Sequence, residues 1–225
     1  MKDVRTEAPW RAEKRRRILE AGFRLFSQRG IEPVTMPEVA QEGGVARATL
    51  YRYYATKLDL VVAIGAWKWE EYIEARDTLL TAEAIEQLSA AEYLRFFLDA
   101  FLDLYRNHSD ILRFNYNFNS FLRTEQGRPE QRQPYMRMVD ALSAQFHAMY
   151  VRGLRDGTLN TDIPETAMLS SSFHIMLAAV TRYAVGLVYV PEQGADPESE
   201  LIMLEELLLA KYCGQEGQRK NRNDR

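Results

Sequence analysis

An all-α chain is predicted by two observations along these 225 residues. Apolar positions recur at helical spacing almost throughout, and no Asn-Gly or Asp-Gly turn separates runs of alternating hydrophobicity. A third observation divides the chain in two. Residues 1–60 carry 12 Lys and Arg against 8 Asp and Glu, whereas the remainder carries 17 against 24, so a basic segment precedes an acidic one although the formal net charge is only −3. A basic head can meet phosphates while an acidic body stays off them.

The first helix is expected from about Trp10 to Arg29, with Ile18, Ala21, Gly22, Leu25 and Phe26 on one face and Gly30 as its stop. Lys14, Arg15, Arg16 and Arg17 make its first half basic, which invites a phosphate-contact reading, although a solvated charged face is the plainer one. Thr35 and Glu38 have capping-box spacing with Pro37 in the tolerated first turn, so a second helix starts there. It is short, because Gly43 and Gly44 follow within two turns and a glycine supplies the left-handed conformation that reverses the chain. A third helix runs from about Arg47 to Tyr54. Thr56 and Asp59 repeat the capping spacing and open a long helix to about Leu79. Further helices are expected near Ala90 to Asn107, Asp110 to Arg123, Pro129 to Arg155, Pro164 to Tyr189 and Pro197 to Tyr212, the first of these with Ser89 and Glu92 as its box. The turn-rich stretch from Asp156 to Pro164 reads as a simple loop, and residues 214–225 as a polar tail.

Composition narrows the function classes. With 46% hydrophobic and 27% charged residues and a mean hydropathy of −0.37, the chain reads as globular, neither disordered nor membrane-embedded. Cys213 is the lone cysteine, so no internal disulfide and no oxidising compartment are implied, and cytoplasmic residence is expected. No apolar run long enough for a signal peptide or a span occurs, so no membrane partner is expected. No P-loop, nucleophile elbow, paired-carboxylate motif or zinc signature is present, which argues against an enzyme. His108, His147 and His174 lack ligand-like spacing, so neither a metal nor another cofactor is expected.

Two short helices joined by a glycine turn meet the geometric needs of a helix-turn-helix, whose second helix can enter a major groove. The second helix here bears Arg47, Thr49, Tyr51, Arg52 and Tyr53. Leu50, Val39, Ala40, Val45 and Tyr54 are the expected core of this head.

The run Thr35-Met36-Pro37-Glu38-Val39-Ala40, then Gly44-Val45, Ala48-Thr49-Leu50-Tyr51-Arg52-Tyr53-Tyr54 and Lys57-Leu58-Asp59-Leu60, resembles the N-terminal signature of the tetracycline-repressor (TetR) family of regulators. Ile18, Leu19, Ala21, Phe26, Gly30 and Val34 add the pattern of its first helix, and the match spans about residues 11 to 62. The resemblance implies a helix-turn-helix DNA-binding domain over 1–60 and a helical ligand-binding and dimerisation domain over 61–213. It implies that Thr35 caps the second helix and touches a phosphate, that Tyr51 and Tyr53 give hydroxyls to the DNA backbone, and that Lys57 anchors a phosphate. Arg47, Ala48 and Thr49 would face bases, with Arg52 beside them; Arg47 suits guanine, and the Ala48 and Thr49 methyls suit thymine. Three positions depart from the pattern: Ala46 stands where a capping Ser or Thr is frequent, Ala48 replaces a frequent Gly, and Met36-Pro37 replaces polar side chains.

For the body, the resemblance implies a small-molecule effector. Apolar helices with a few polar groups suit such a site; the candidates are Phe97, Phe101, Tyr105, Phe114, Asn117, Phe118 and Phe121, with His147, Phe173, His174 and Arg182. The last helix is apolar on more than one face, which calls for burial on two sides. Phe173, Met176, Leu177, Val180 and Leu187, with Leu201, Leu204 and Leu208, are the expected homodimer interface. A two-fold dimer would present two heads to a palindromic operator on double-stranded DNA, and repression relieved by the effector is the expected activity. The rival reading is a helical protein-interaction module that uses the leucine-rich C-terminal helices and binds no specific DNA.

Overall fold

The computed structural model describes residues 9–125, 127–160, 162–187 and 196–214. These residues form eleven α-helices: α1 (Pro9–Arg29), α2 (Met36–Glu42), α3 (Arg47–Tyr53), α4 (Lys57–Asp77), α5 (Ala82–Gln87), α6 (Ala90–Asn107), α7 (Ser109–Thr124), α8 (Pro129–Asp156), α9 (Glu165–Ser172), α10 (Ala178–Ala184) and α11 (Pro197–Tyr212). A π-helical turn, Phe173–Leu177, joins α9 to α10. No described helix is long and apolar enough to cross a membrane. The expected polar tail lies outside the described residues apart from Gly214.

The chain divides into two compact units. One unit comprises the residues up to Glu71 together with Arg113–Met138; the other comprises Tyr72–Leu112 and the residues from Val139 on. Helices α4, α7 and α8 each run through both.

In the first unit, α1 buries Ile18, Leu19, Ala21, Phe23 and Phe26, while Leu25 of the expected face is only half-buried and Phe23 takes its place. Phe23 does so because α7 supplies a partner: its ring lies 5.5 Å from that of Phe114. Asn117 of α7 donates its amide N–H to the Phe26 carbonyl at 3.2 Å. Gly22 lets α1 approach α4 closely, since a Cβ there would come within 2.5 Å of the Ile64 methyl. The head core, Val39, Ala40 and Leu50 with Tyr54, is buried as expected, although Val45 is only partly so. Gly30 (φ 83°) and Gly44 (φ 60°) both adopt the left-handed conformation. Thr56 caps α4, its hydroxyl accepting from the Asp59 N–H at 3.1 Å, and Gln131 of α8 donates to the Asp59 carboxylate at 2.8 Å.

In the second unit, α6 is the central element, with Leu94, Leu98, Phe101, Leu102 and Leu104 buried. Its N-terminus is over-supplied with acceptors. Ser89 and Glu92 form the expected capping box, Asp156 accepts from the Ala90 N–H at 2.8 Å and Thr158 from the Ala91 N–H at 3.1 Å. The Asp156–Pro164 stretch is thus more than a loop: Asn160 also donates to the Tyr212 carbonyl at 2.7 Å, and Gly214 to that of Thr158 at 2.9 Å. Helix α11 lies on α6, tied by Arg106 to Glu198 at 2.9 Å and by Arg95 to Glu205, which is 3% exposed, at 3.4 Å. Burial lifts the Asp99 carboxyl above its ordinary range although Arg95, Arg76 and Arg106 and a hydrogen bond with Glu205 pull it down. Tyr72 of α4 donates to the Ala100 carbonyl at 2.7 Å and to Asp103 at 2.9 Å.

Three helix expectations are corrected. Helix α5 was not anticipated; Thr81 caps it by accepting from the Ala84 N–H at 3.2 Å, but its six residues are too few to show a periodicity. The helix expected from Pro164 to Tyr189 is broken by the π turn and ends at Ala184, because Gly186 (φ 74°) reverses the chain; Tyr189 lies outside the described residues. The long helix after Thr56 stops at Asp77, two residues short.

Candidate nucleic-acid interface and effector region

The α2 N-terminus carries the full capping box. The Thr35 hydroxyl accepts from the Glu38 N–H at 3.4 Å and donates to the Glu38 carboxylate at 2.8 Å, and the Thr35 N–H donates to the same carboxylate at 2.7 Å. The Thr35 backbone N–H, its hydroxyl and Arg29 hold the Glu38 carboxyl down at about 2. Met36 is buried in the head core, which explains why an apolar side chain stands there.

Helix α3 has no side-chain cap at Ala46. Its inner side is fixed by Leu50, which is fully buried, while Arg47, Ala48, Tyr51 and Arg52 are exposed and Thr49 and Tyr53 are half-exposed. Arg47, Ala48, Thr49, Tyr51 and Arg52 therefore present donors and methyl groups outward from a single apolar anchor. The two tyrosines are not equivalent. The Tyr53 hydroxyl donates to the Arg11 carbonyl at 3.3 Å and its ring carries the Arg52 guanidinium at 5.9 Å, whereas Tyr51 stands outward. Lys57, at the start of α4, donates to the Glu32 carbonyl at 2.9 Å and lies 5.8 Å from the Phe121 ring centroid; burial lowers its pKa. The ammonium is thus positioned by the protein itself. Sequence reasoning missed the role of Arg17, whose guanidinium donates to the Gly44 carbonyl at 3.1 Å and braces the turn before α3. Its only signal was membership of the basic run.

The expected effector residues separate into three groups. Phe97, Phe101 and Phe173 meet edge to face with Phe146 at centroid distances of 5.3–5.9 Å, and Tyr105 lies 6.1 Å from Tyr183. Contact with the Glu200 carboxylate pushes the Tyr183 hydroxyl up to about 12. Phe114, Asn117, Phe118 and Phe121 are instead part of the first unit: Phe114 packs on Phe23, Asn117 holds the Phe26 carbonyl, Phe118 lies 4.8 Å from Tyr135, and Phe121 sits beneath Lys57. Their aromatic-amide alternation is helix packing, since Phe114, Phe118 and Phe121 share one helical face. His147, His174 and Arg182 are exposed; His147 faces Glu165 at 2.9 Å.

The residues of the expected interface divide as well. Met176, Val180, Leu201 and Leu208 are buried within the chain's own core, and Phe173, Leu177 and Leu204 are half-buried. Of that set only Leu187 is exposed, and it is joined outside the core by Ile175, Met203 at 53% and Leu207 at 59%. One apolar face of α11 covers α6; the other is left outward.

A helix-turn-helix head followed by a helical body is an arrangement that comparisons with known proteins also find. Residues 18–64 match the model of the bacterial regulatory proteins, tetR family. The repressor KstR of Rhodococcus jostii (strain RHA1), described as an HTH-type transcriptional repressor, is 45% identical over 58 residues, 26% of this chain and 27% of that protein. The chain thus spans about a quarter of the length of the relative it matches. The regulator FadR from Bacillus subtilis, solved in complex with stearoyl-CoA, superposes with a TM-score of 0.65 at 19% identity, covering 87% of this chain and 97% of that one. A regulator from Saccharomonospora viridis in complex with choline gives 0.66 at 18% identity, covering 91% and 100%. The amino-terminal segment is thus similar to the tetR family, and the chain has the all-α fold of the superposed regulators.

Proposed function

We propose that the chain is a homodimeric, effector-responsive transcriptional repressor that binds a palindromic operator through α3 and is released by a small molecule bound in its helical body. The observation that carries this reading is α3 itself, with five outward side chains, Arg47, Ala48, Thr49, Tyr51 and Arg52, fixed by the buried Leu50. Arg47 is suited to guanine and the Ala48 and Thr49 methyls to thymine, while Tyr51 and Lys57 reach phosphates directly, and Thr35 and Tyr53 do so by exchanging the acceptors that their hydroxyl protons now hold. The Lys57 bond to the Glu32 carbonyl favours this role, because it holds the ammonium in place before DNA arrives and uses one of its three N–H donors.

The effector site is placed beside Phe97, Phe101, Phe173 and Tyr105, next to the π turn. That turn supports the choice, since π-helical turns occur frequently at functional sites. Stearoyl-CoA and choline in the two superposed structures support a small organic effector without naming this one. The outward Ile175, Leu187, Met203 and Leu207 favour a second copy of the chain as partner. Effector binding would then shift the head spacing, transmitted along α4, which is held at Tyr72 by α6 and at Lys57 by the Glu32 carbonyl.

The test is binding of the purified chain to labelled DNA from upstream of its own gene, with Tyr51→Ala in parallel. Sequence-selective binding that Tyr51→Ala weakens tenfold or more, with the dimer intact, is expected. A dimer that binds no DNA selectively would favour the interaction-module reading.

A further inference from the structure

We infer that the start of α1 is a second nucleic-acid contact, in which Trp10, Arg11 and Lys14 form a clamp on backbone phosphates flanking the groove that α3 enters. This rests on the regulator reading and adds to it a contact outside the helix-turn-helix motif.

The placement follows from two bonds at opposite ends of α3. The Arg17 guanidinium donates to the Gly44 carbonyl at 3.1 Å, just before α3 begins. The Tyr53 hydroxyl donates to the Arg11 carbonyl at 3.3 Å, where α3 ends. Side-chain bonds therefore tie the first half of α1 to the turn before α3 and to the last residue of α3. Positions 10, 14 and 17 lie within one narrow sector of a helix, because their spacings of four and three residues bring each back close to the same direction. The sector that reaches the turn at Arg17 thus also carries Trp10 and Lys14, with Arg11 adjoining.

The chemistry at this end is unlike the rest of the helix. Trp10 is 52% exposed; the Arg11 guanidinium carbon stands 5.1 Å from its ring centroid and the Lys14 ammonium 4.9 Å. The ring attracts both cations through its negative faces and reduces the freedom they would lose on binding. Three other cations of α1 are paired: Arg16 with Glu13 and Glu20, Arg24 with Glu42, Arg29 with Glu38. Arg11 and Lys14 have no carboxylate partner among the described residues. Pairing neutralises other faces of α1 and leaves positive charge beside α3. A duplex, with one negative charge per roughly 1.7 Å of axis, is the complementary surface. Such contacts fix register and carry no sequence information.

The full-length chain and the double variant Arg11→Ala with Lys14→Ala are titrated against two labelled duplexes of equal length, the upstream fragment and an unrelated sequence, between about 50 and 200 mM salt. Alanine preserves helix propensity, and equal melting temperatures confirm that the head is folded. The expected result is a log–log salt slope shallower by about one for each cation removed per head, with the same fold loss on both duplexes. Trp10→Leu, which keeps both charges, is expected to retain the slope and weaken binding by less than the double variant. An unchanged slope in the double variant, or a loss confined to the upstream fragment, overturns this inference alone. No salt-sensitive binding by the parent chain overturns both this inference and the regulator reading.

Discussion

At the first turn of α3 the backbone of Ala46 has the extended geometry of an N-cap, φ −64° and ψ 144°, but a methyl group cannot accept the hydrogen bonds that this turn offers. The contrast with Thr35, whose hydroxyl fills that role for α2, isolates one missing bond. Ala46→Ser is therefore expected to raise stability by about 1 kcal/mol, seen as a higher urea midpoint at unchanged slope. An unchanged midpoint would mean that water already serves those N–H groups equally well. Residues whose role is local were readable in this way from the sequence. Thr35 and Glu38 form their box within four residues, Gly44 takes its positive φ where two helices meet, and Leu50 is the inner residue of its helix. Residues whose role depends on distant backbone were not. Lys57 meets the carbonyl of Glu32 and Tyr53 that of Arg11, and a backbone carbonyl has no side-chain signature to search for.

Among the elements, α11 shows how an apolar pattern underdetermines packing. Leucines cover more than one of its faces, and the pattern calls for two partners without naming either. In the structure one face takes Leu201, Leu208, Leu209 and Tyr212 into the core. Glu205 goes with them and meets Arg95 of α6, itself only 23% exposed at its side chain, so a charge interrupts an otherwise apolar seam. Glu205→Ala would leave Arg95 with its neighbour Asp99 but without its buried partner. Breaking such a pair is expected to cost roughly 3 kcal/mol in chemical denaturation, with α11 separating from α6 first in hydrogen exchange. A loss under about 1 kcal/mol would show that solvent screens the pair as at an open surface. The π turn at Phe173–Leu177 is a second example. Its sequence, Phe-His-Ile-Met-Leu, reads as ordinary helix, and in the structure its first residue, Phe173, meets Phe97 and Phe101.

For the molecule as a whole, the outward Met203 and Leu207 on α11 put large apolar groups in water, and a dimer of this chain would cover them. Charges introduced by Met203→Glu with Leu207→Glu are expected to give a folded monomer by sedimentation, with operator affinity reduced at least a hundredfold as the two heads lose their linkage. A variant that still sediments as a dimer would move the interface to another face. The all-α class, the helix-turn-helix head and its outward α3 residues were determined by the sequence alone, because capping, glycine turns and helical periodicity act over a few residues. Tertiary structure alone decided the division of the chain into units: Phe114, Asn117 and Phe118 join α1 rather than Phe97 and Phe101 because side chains of equal apolarity are sorted by which helix lies opposite them. It also decided which leucines face inward, since burial depends on the surface a neighbour presents, and no spacing along one helix records where that neighbour will be.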